Sequence, residues 1–221
     1  MKYSVLLNEL KQNAEEDFAC FQRKLIFTQQ TILGVRTPTM RRLARQFQKH
    51  WQEVLAFPDE YFEVTFIKLA QVSSLSYNDF TLCVESCVEK IDNWATCDGF
   101  KANCIKGRQT DFLPILKRIF DKKTEFSQRY ALVSLLYYYT DAEWTETLQE
   151  FINLANTQKY YVHMAVAWLL AEIITKRYED GLLLLQTSNI DVKTYNKAIQ
   201  KAKESYRLTT TQKGFLNSLK K

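Results

Sequence analysis

The stretch IDNWATCDGFKANCIKG, residues 91–107, sets an indole and a carboxylate four residues apart, Trp94 and Asp98. At about 100° per residue a helix puts Trp94, Asp98 and Lys101 on one stripe, beside an apolar stripe of Cys97, Phe100 and Cys104. Asp92 is placed to cap this helix, and Gly107 to end it. A carboxylate in so apolar a segment needs a charged or hydrogen-bonding partner, and Lys101 is the nearest candidate. Arg129 raises a second question. It falls near the start of its helix, where the macrodipole disfavours a cation. Glu125, four residues earlier, can pair with it, and it can contact an anion; the two roles are compatible. Trp168 completes the set: Trp94, Arg129 and Trp168 follow one another at 35 and 39 residues. Each tryptophan taken alone reads more readily as a core residue than as a ligand contact.

The cations gather at one end. Between Asp191 and Lys221 eight Lys/Arg face two acids, a net +6, against −1 for the preceding 190 residues. Lys193, Lys197 and Lys201 recur every fourth residue and form a ridge on one helix face. Such a ridge is either a solvated face or a contact for a polyanion. The five cysteines, Cys20, Cys83, Cys87, Cys97 and Cys104, include no Cys-x-x-Cys pair and no histidine at metal spacing. They read as buried thiols in a reducing compartment, with no metal and no cofactor expected. No apolar run approaches the ~18 residues of a membrane span, so the expectation is a cytoplasmic, monomeric protein without a membrane partner.

These residues must be positioned by helices. Hydrophobic residues make up 46% of 221, enough for a sizeable core. Five glycines and three prolines fall well under the usual combined share of roughly 12%, which suits long helices and short turns. The pattern predicts helices near 3–12, 14–27, 38–48, 59–73, 77–90, 93–105, 111–121, 125–139, 144–155, 158–176, 178–187, 191–206 and 210–219. Thr37-Pro38 reads as an N-cap followed by proline at the first helical position. Pro58-Asp59-Glu60 reads as an acidic first turn. QRYALVSLL (128–136) aligns with VHMAVAWLL (162–170) at an offset of 34, with Ala131 on Ala165 and Leu135-Leu136 on Leu169-Leu170. Repeated hairpins of this kind stack into helical solenoids with a concave face. No Gly/Ser/Pro-rich linker interrupts the chain, so one domain over 1–221 is expected: helices over 1–36, central repeats over 37–190 and basic helices over 191–221.

Five stretches in order resemble the AlkD-type DNA alkylation-repair proteins: ILGVRTPTMRRLARQF (32–47), residues 91–107, EFSQRYALVSLLYYY (125–139), YYVHMAVAWLLAEI (160–173) and TYNKAIQKAKESYRLT (194–209). The resemblance implies an all-α, right-handed solenoid of HEAT-like hairpins cradling duplex DNA, alkylated or otherwise distorted, on a basic concave groove. In active members the reaction hydrolyses the N-glycosidic bond of cationic N3- or N7-alkylpurines. By that likeness Asp98 is the catalytic carboxylate, Trp94 and Trp168 are its indole partners, and Arg129 holds a phosphate. Lys101, Lys193, Lys197, Lys201 and Arg207 are the further DNA-binding candidates. The family's lesion sensing works through the backbone without a tight base pocket. Active members also carry an aromatic residue on the helix before the LG…P turn. The aligned position here is Leu25, the mark of a divergent branch, and Phe18 and Phe21 are expected to pack into the first repeat.

Three functions compete at this point: a DNA glycosylase for cationic alkylpurines, a catalytically weak or inactive paralogue that binds DNA or recognises unusual DNA structure, and a protein-interaction scaffold.

Overall fold

The computed structural model describes residues 1–221. It is all-α: fourteen α-helices, three 3-10 turns, and a single isolated bridge between Thr31 and Tyr61. No helix is long and apolar enough to cross a membrane. The chain divides into two compact units, Met1–Arg108 and Gln109–Lys221.

The first unit contains α1 (Tyr3–Gln12), α2 (Glu16–Arg23), α3 (Thr37–Gln46), α4 (Trp51–Leu55), α5 (Phe62–Val72), α6 (Tyr77–Glu89) and α7 (Trp94–Gly99). α3 packs on α5, and Leu6, Leu10, Met40, Leu43, Val54 and Ile67 share its core. α5 is buried on nearly every side, and that includes Glu63, at 0% exposure. A buried carboxylate is tolerable only when its oxygens are hydrogen-bonded. Here Oε1 accepts from the backbone N–H groups of Leu33, Gly34 and Val35 at 3.0, 2.8 and 3.3 Å. The turn that offers these amides requires glycine: Gly34 has φ +85°, and a Cβ there would lie 2.2 Å from the Glu15 carbonyl oxygen.

Three local expectations are corrected in this unit. Arg36, not Thr37, precedes the first helical residue of α3, and Pro38 lies within its first turn. Asp59 and Glu60 do not begin a helix. Thr31 pairs with this segment, its N–H donating to the Glu60 carbonyl at 2.9 Å and its own carbonyl accepting from Phe62 N–H at 3.0 Å. That pairing keeps the backbone extended until Phe62. Asp59 instead meets the buried ammonium of Lys68 at 2.7 Å. Residues 49–55, predicted as a connection between helices, belong to a 3-10 turn (Gln48–His50) and to α4. The fourth correction concerns the thiols. Four of the five cysteines are covered to differing degrees, but Cys20 is exposed, on the polar side of α2 beside Glu16 and Arg23.

The second unit contains α8 (Gln109–Asp121), α9 (Glu125–Tyr138), α10 (Thr145–Leu154), α11 (Tyr160–Lys176), α12 (Tyr178–Thr187), α13 (Val192–Glu204) and α14 (Thr210–Ser218). α11 packs on α9, α12 and α13. The 34-residue correspondence is real packing: Ala131, Leu135, Leu136, Ala165, Leu169 and Leu170 are all buried in α9 and α11. Gly181 lets α12 approach α11 closely, because a Cβ there would meet the Ile174 backbone at 2.4 Å.

A polar chain ties α13 to α11. Asp191 caps α13, accepting from Thr194 N–H at 2.9 Å and from the Thr194 hydroxyl at 2.8 Å. With that proton committed, Thr194 Oγ1 accepts from Nδ1–H of buried His163 at 2.8 Å. Burial first, then the charges of Lys193 and Lys197, hold the His163 pKa below its ordinary value. Burial alone would raise Asp191, but hydrogen bonds from Thr157 and Thr194 outweigh it and bring the carboxyl to about 2. Both folded values lie below the unfolded ones, so the unfolded chain binds protons first as pH falls. Stability should therefore decline below pH 6.5 as His163 is forced to charge, and again between about 4 and 2 as Asp191 is protonated. Urea titrations at stepped pH check this: His163→Asn should remove the upper decline and leave the lower one.

Candidate functional site

The short helix α7 carries the residues singled out at the start. It is shorter than the spacing predicted, and its cap is different. Asn93 is the N-cap, its side-chain oxygen accepting from Thr96 N–H at 3.0 Å. Asp92 is recruited elsewhere: its Oδ2 accepts from the Thr28 hydroxyl at 2.7 Å and from Gln29 N–H at 2.9 Å. α7 ends at Gly99, and the chain continues through Phe100 at ψ 77° to a 3-10 turn, Asn103–Ile105. Phe100 and Ala102, on either side of this break, are both buried. Phe100 packs on Phe80, with ring centroids 5.8 Å apart.

Trp94 and Asp98 therefore remain one turn apart on α7, whereas Lys101 lies beyond the helix end and is exposed. Asp98 is half-buried. Trp94 keeps 37% of its surface exposed, and its Nε1–H donates to the carbonyl oxygen of Leu25 at 3.0 Å. The start of α7 thus ties down the segment after α2 at two points, Leu25 through Trp94 and residues 28–29 through Asp92. That segment turns its own apolar side chains outward: Leu25 and Phe27 are exposed. Phe21 is exposed as well, not packed into the core as the sequence suggested, and it stacks on half-buried Phe18 at 6.3 Å. Arg36 covers the Phe18 ring at 4.0 Å.

Between α2, α3, α5 and α7 lies a cleft of about 320 Å³. Phe18, Phe21, Leu25, Phe62, Phe66 and Trp94 supply most of its apolar wall, and Arg41 is its only charged lining residue. Gln22 also lines it, 7% exposed, with an Oε1 that has no hydrogen-bond partner. Sequence reasoning passed over Gln22 and Glu63 because a polar residue inside an amphipathic pattern gives no sign of what it faces in space.

The remaining candidates belong to the second unit. Arg129, on α9, is only 6% exposed. Its Nη1 donates to the Tyr161 carbonyl at 2.9 Å, and Glu125 Oε1 accepts from Tyr161 N–H at 2.7 Å. Both side chains of the expected i,i+4 pair thus reach across to the backbone of one residue, Tyr161, at the start of α11. The Glu125 carboxylate satisfies an N–H that a first helical turn leaves open. Trp168 is half-buried, with its ring edge-on to Tyr137 at 6.2 Å. On α13, Lys193 is exposed, while Lys197 and Lys201 are half-buried along a helix whose other face holds Tyr195, Ala198, Ile199 and Ala202. Lys197 Nζ donates to Gln200 at 2.9 Å. Arg207 makes a forked contact with Glu172, the shortest at 3.0 Å. Burial pushes Cys87 up to about 12 and raises Cys83 and Cys104, so they stay protonated.

A family model described as DNA alkylation repair enzyme matches residues 6–202. No individual curated protein matches the chain.

Proposed function

Since the chain belongs to the DNA alkylation repair enzyme family, we propose that it binds duplex DNA and hydrolyses the N-glycosidic bond of N3- or N7-alkylated purines. The observation that carries this reading is the Trp94–Asp98 pair, a hydrogen-bonded indole and a half-buried carboxylate one helical turn apart.

The chemistry suits so sparse a site. Alkylation at N3 or N7 leaves the purine cationic, hence already a good leaving group needing little protonation. What remains to be stabilised is the positive charge that develops on the sugar as the C–N bond breaks. A carboxylate held beside that carbon does this and orients the attacking water. The exposed face of Trp94 attracts the same cation by its π electrons. By the family resemblance, Trp168 contributes the second indole and Arg129 a phosphate contact, bidentate recognition of phosphate being a property of the guanidinium fork. Lys101, Lys193, Lys197, Lys201 and Arg207 are proposed as backbone contacts, which position DNA without reading its sequence. The reaction requires neither metal nor redox cofactor, since water is the only co-substrate.

Incubation with duplex carrying N7-methylguanine tests the proposal, and free base should accumulate with time. No release at stoichiometric protein would overturn the catalytic part. A second reading, a paralogue that binds DNA without turnover, is favoured by Leu25, an exposed aliphatic where active relatives present an aromatic. It predicts no release but an affinity falling with salt by about 0.9 log units in K per decade of salt for each phosphate neutralised. Undetectable or salt-independent binding would remove both readings.

A further inference from the structure

We infer that the outer face of α3, together with the segment that follows α2, binds an unpaired strand of DNA. Its phosphates would lie on Lys24 and the arginines of α3, its bases on the exposed aromatic side chains nearby. The repair reading supplies DNA as the polyanion; the surface itself rests on charge and exposure.

Charge is the first argument. Residues 18–52 contain seven Lys/Arg and no Asp or Glu, a net +7 that exceeds the +6 of residues 191–221. Arg23 and Arg36 are engaged by Glu16 and Glu15. The other five, Lys24, Arg41, Arg42, Arg45 and Lys49, are exposed and make no ion pair. α3 buries Met40, Leu43 and Ala44. At about 100° per residue, Arg41, Arg45 and Arg42 then fill an arc of about 100° on its outer side. Like charges so close on one helix repel each other, and a polyanion relieves that repulsion while releasing its own counterions.

Exposure is the second argument. Phe27 keeps 71% of its surface in solvent, and Phe21 and Leu25 are exposed on the same stretch of chain. Arg41 borders the cleft that Phe21 and Leu25 also border, so cations and apolar side chains are neighbours here. Phe27 is not loosely held. On one side of it the Leu25 carbonyl accepts from Trp94 Nε1–H, and on the other Thr28 and Gln29 donate to Asp92. An aromatic ring fixed outward between two tied points is pre-organised for a partner, at little further cost in chain entropy.

The two features together select the occupant. Intact duplex presents sugar and phosphate outward and keeps its base faces stacked, so it would use the arginines and leave the rings in water. An unpaired strand offers a charged backbone and open base faces at once. Base–aromatic stacking tolerates any sequence, and a positive surface with aromatic side chains is how single strands are commonly held. An acidic peptide would also meet both features; DNA is favoured because the family acts on it. Such a surface would direct the protein to gapped or forked DNA as well as to alkylated duplex.

Fluorescence anisotropy of the whole protein with oligo(dT) and with an unalkylated blunt duplex of the same length, at stepped salt, tests this. Oligo(dT) should bind more tightly, with log K falling by about 0.7 per decade of salt for each phosphate neutralised. Phe27→Ala should weaken that binding about tenfold, the scale of one lost base–aromatic stack, and leave duplex affinity unchanged. Replacing Arg41 and Arg45 together by alanine should reduce the salt slope by about 1.4, the share of two phosphates. All three side chains are exposed, so these variants should fold as the parent does. Undetectable oligo(dT) binding, parental affinity in Phe27→Ala, or an equal loss on strand and duplex would overturn the surface. Tighter binding of oligo(rU) than of oligo(dT) would overturn DNA as its occupant. Base release from N7-methylguanine duplex, measured on the same preparations, keeps the two readings apart. Release without strand binding removes this surface alone. Strand binding with neither release nor duplex affinity removes the repair reading and leaves the surface standing.

Discussion

Asp98→Asn should lower release of N7-methylguanine from duplex by about 10²–10³-fold, the loss typical when one charge-stabilising group is taken from a transition state. The substitution keeps the shape of the side chain and removes only the negative charge. That charge has a specific task. The leaving base is already cationic, so acid catalysis contributes little and the barrier is dominated by the electron-poor sugar carbon. An amide dipole cannot replace a full charge there, and it makes a poorer partner for an attacking water. Asp98 is half-buried on a six-residue helix capped independently by Asn93, so the variant should fold. Its melting temperature and the salt slope of its DNA affinity should match the parent. Single-turnover rates of base release, compared at equal DNA occupancy, make the measurement. A rate within a few-fold of the parent would show that the carboxylate is not the group that meets the sugar.

The second large effect is on stability. Glu63→Ala should destabilise the protein by about 4 kcal/mol, a large share of the 5–15 kcal/mol typical of a whole domain. The carboxylate accepts from three successive backbone N–H groups, those of Leu33, Gly34 and Val35. Two of these residues are buried and the third half-buried, so water cannot fully replace the lost acceptor. Each orphaned buried donor costs roughly 1–3 kcal/mol. The turn cannot relax elsewhere, because Gly34 sits against Glu15 and Ala19 of α2 and accepts from Glu15 N–H at 3.2 Å. Glu63→Gln separates the contributions. It retains one acceptor oxygen but points an NH2 group at donors, so it should fall between parent and alanine variant. Urea unfolding of all three checks the order. A loss under about 1 kcal/mol for Glu63→Ala would mean that the turn is held by its packing alone. The consequence reaches the cleft, since α2 carries Phe18, Phe21 and Gln22.

The all-α class and the helix positions of the second unit were readable directly. α9, α11 and α12 match their expected limits within two residues or fewer, because long apolar periodicity leaves a chain little choice but to bury that face. The errors fall where side chains decide a boundary through partners far along the chain. Asp92 has the right type for a cap, but Thr28 and Gln29, more than sixty residues away, claim it. Asp59 and Glu60 have the right type for a first turn, but pairing with Thr31 delays the helix until Phe62. Phe18 and Phe21 have helical core spacing, yet they stack on each other with Phe18 half-buried under Arg36 and Phe21 exposed. Arg129 and Glu125 have the spacing of a local pair, and each also makes a hydrogen bond to the backbone of Tyr161 that the spacing does not show.

By itself, then, the sequence determined which segments are helices, that two hairpin cores repeat at a 34-residue offset, and that Trp94 and Asp98 share a face. These are local facts, set by periodicities of three to four residues and by the company each residue keeps along the chain. Tertiary structure alone decided that Trp94 is pinned by Leu25, that Glu63 ties together the 33–35 turn, and that Gln22 is buried with its Oε1 unpaired. Each of those depends on which distant donor or acceptor a buried polar group meets. The free energy of leaving such a group unmet is settled only when the chain has closed around it.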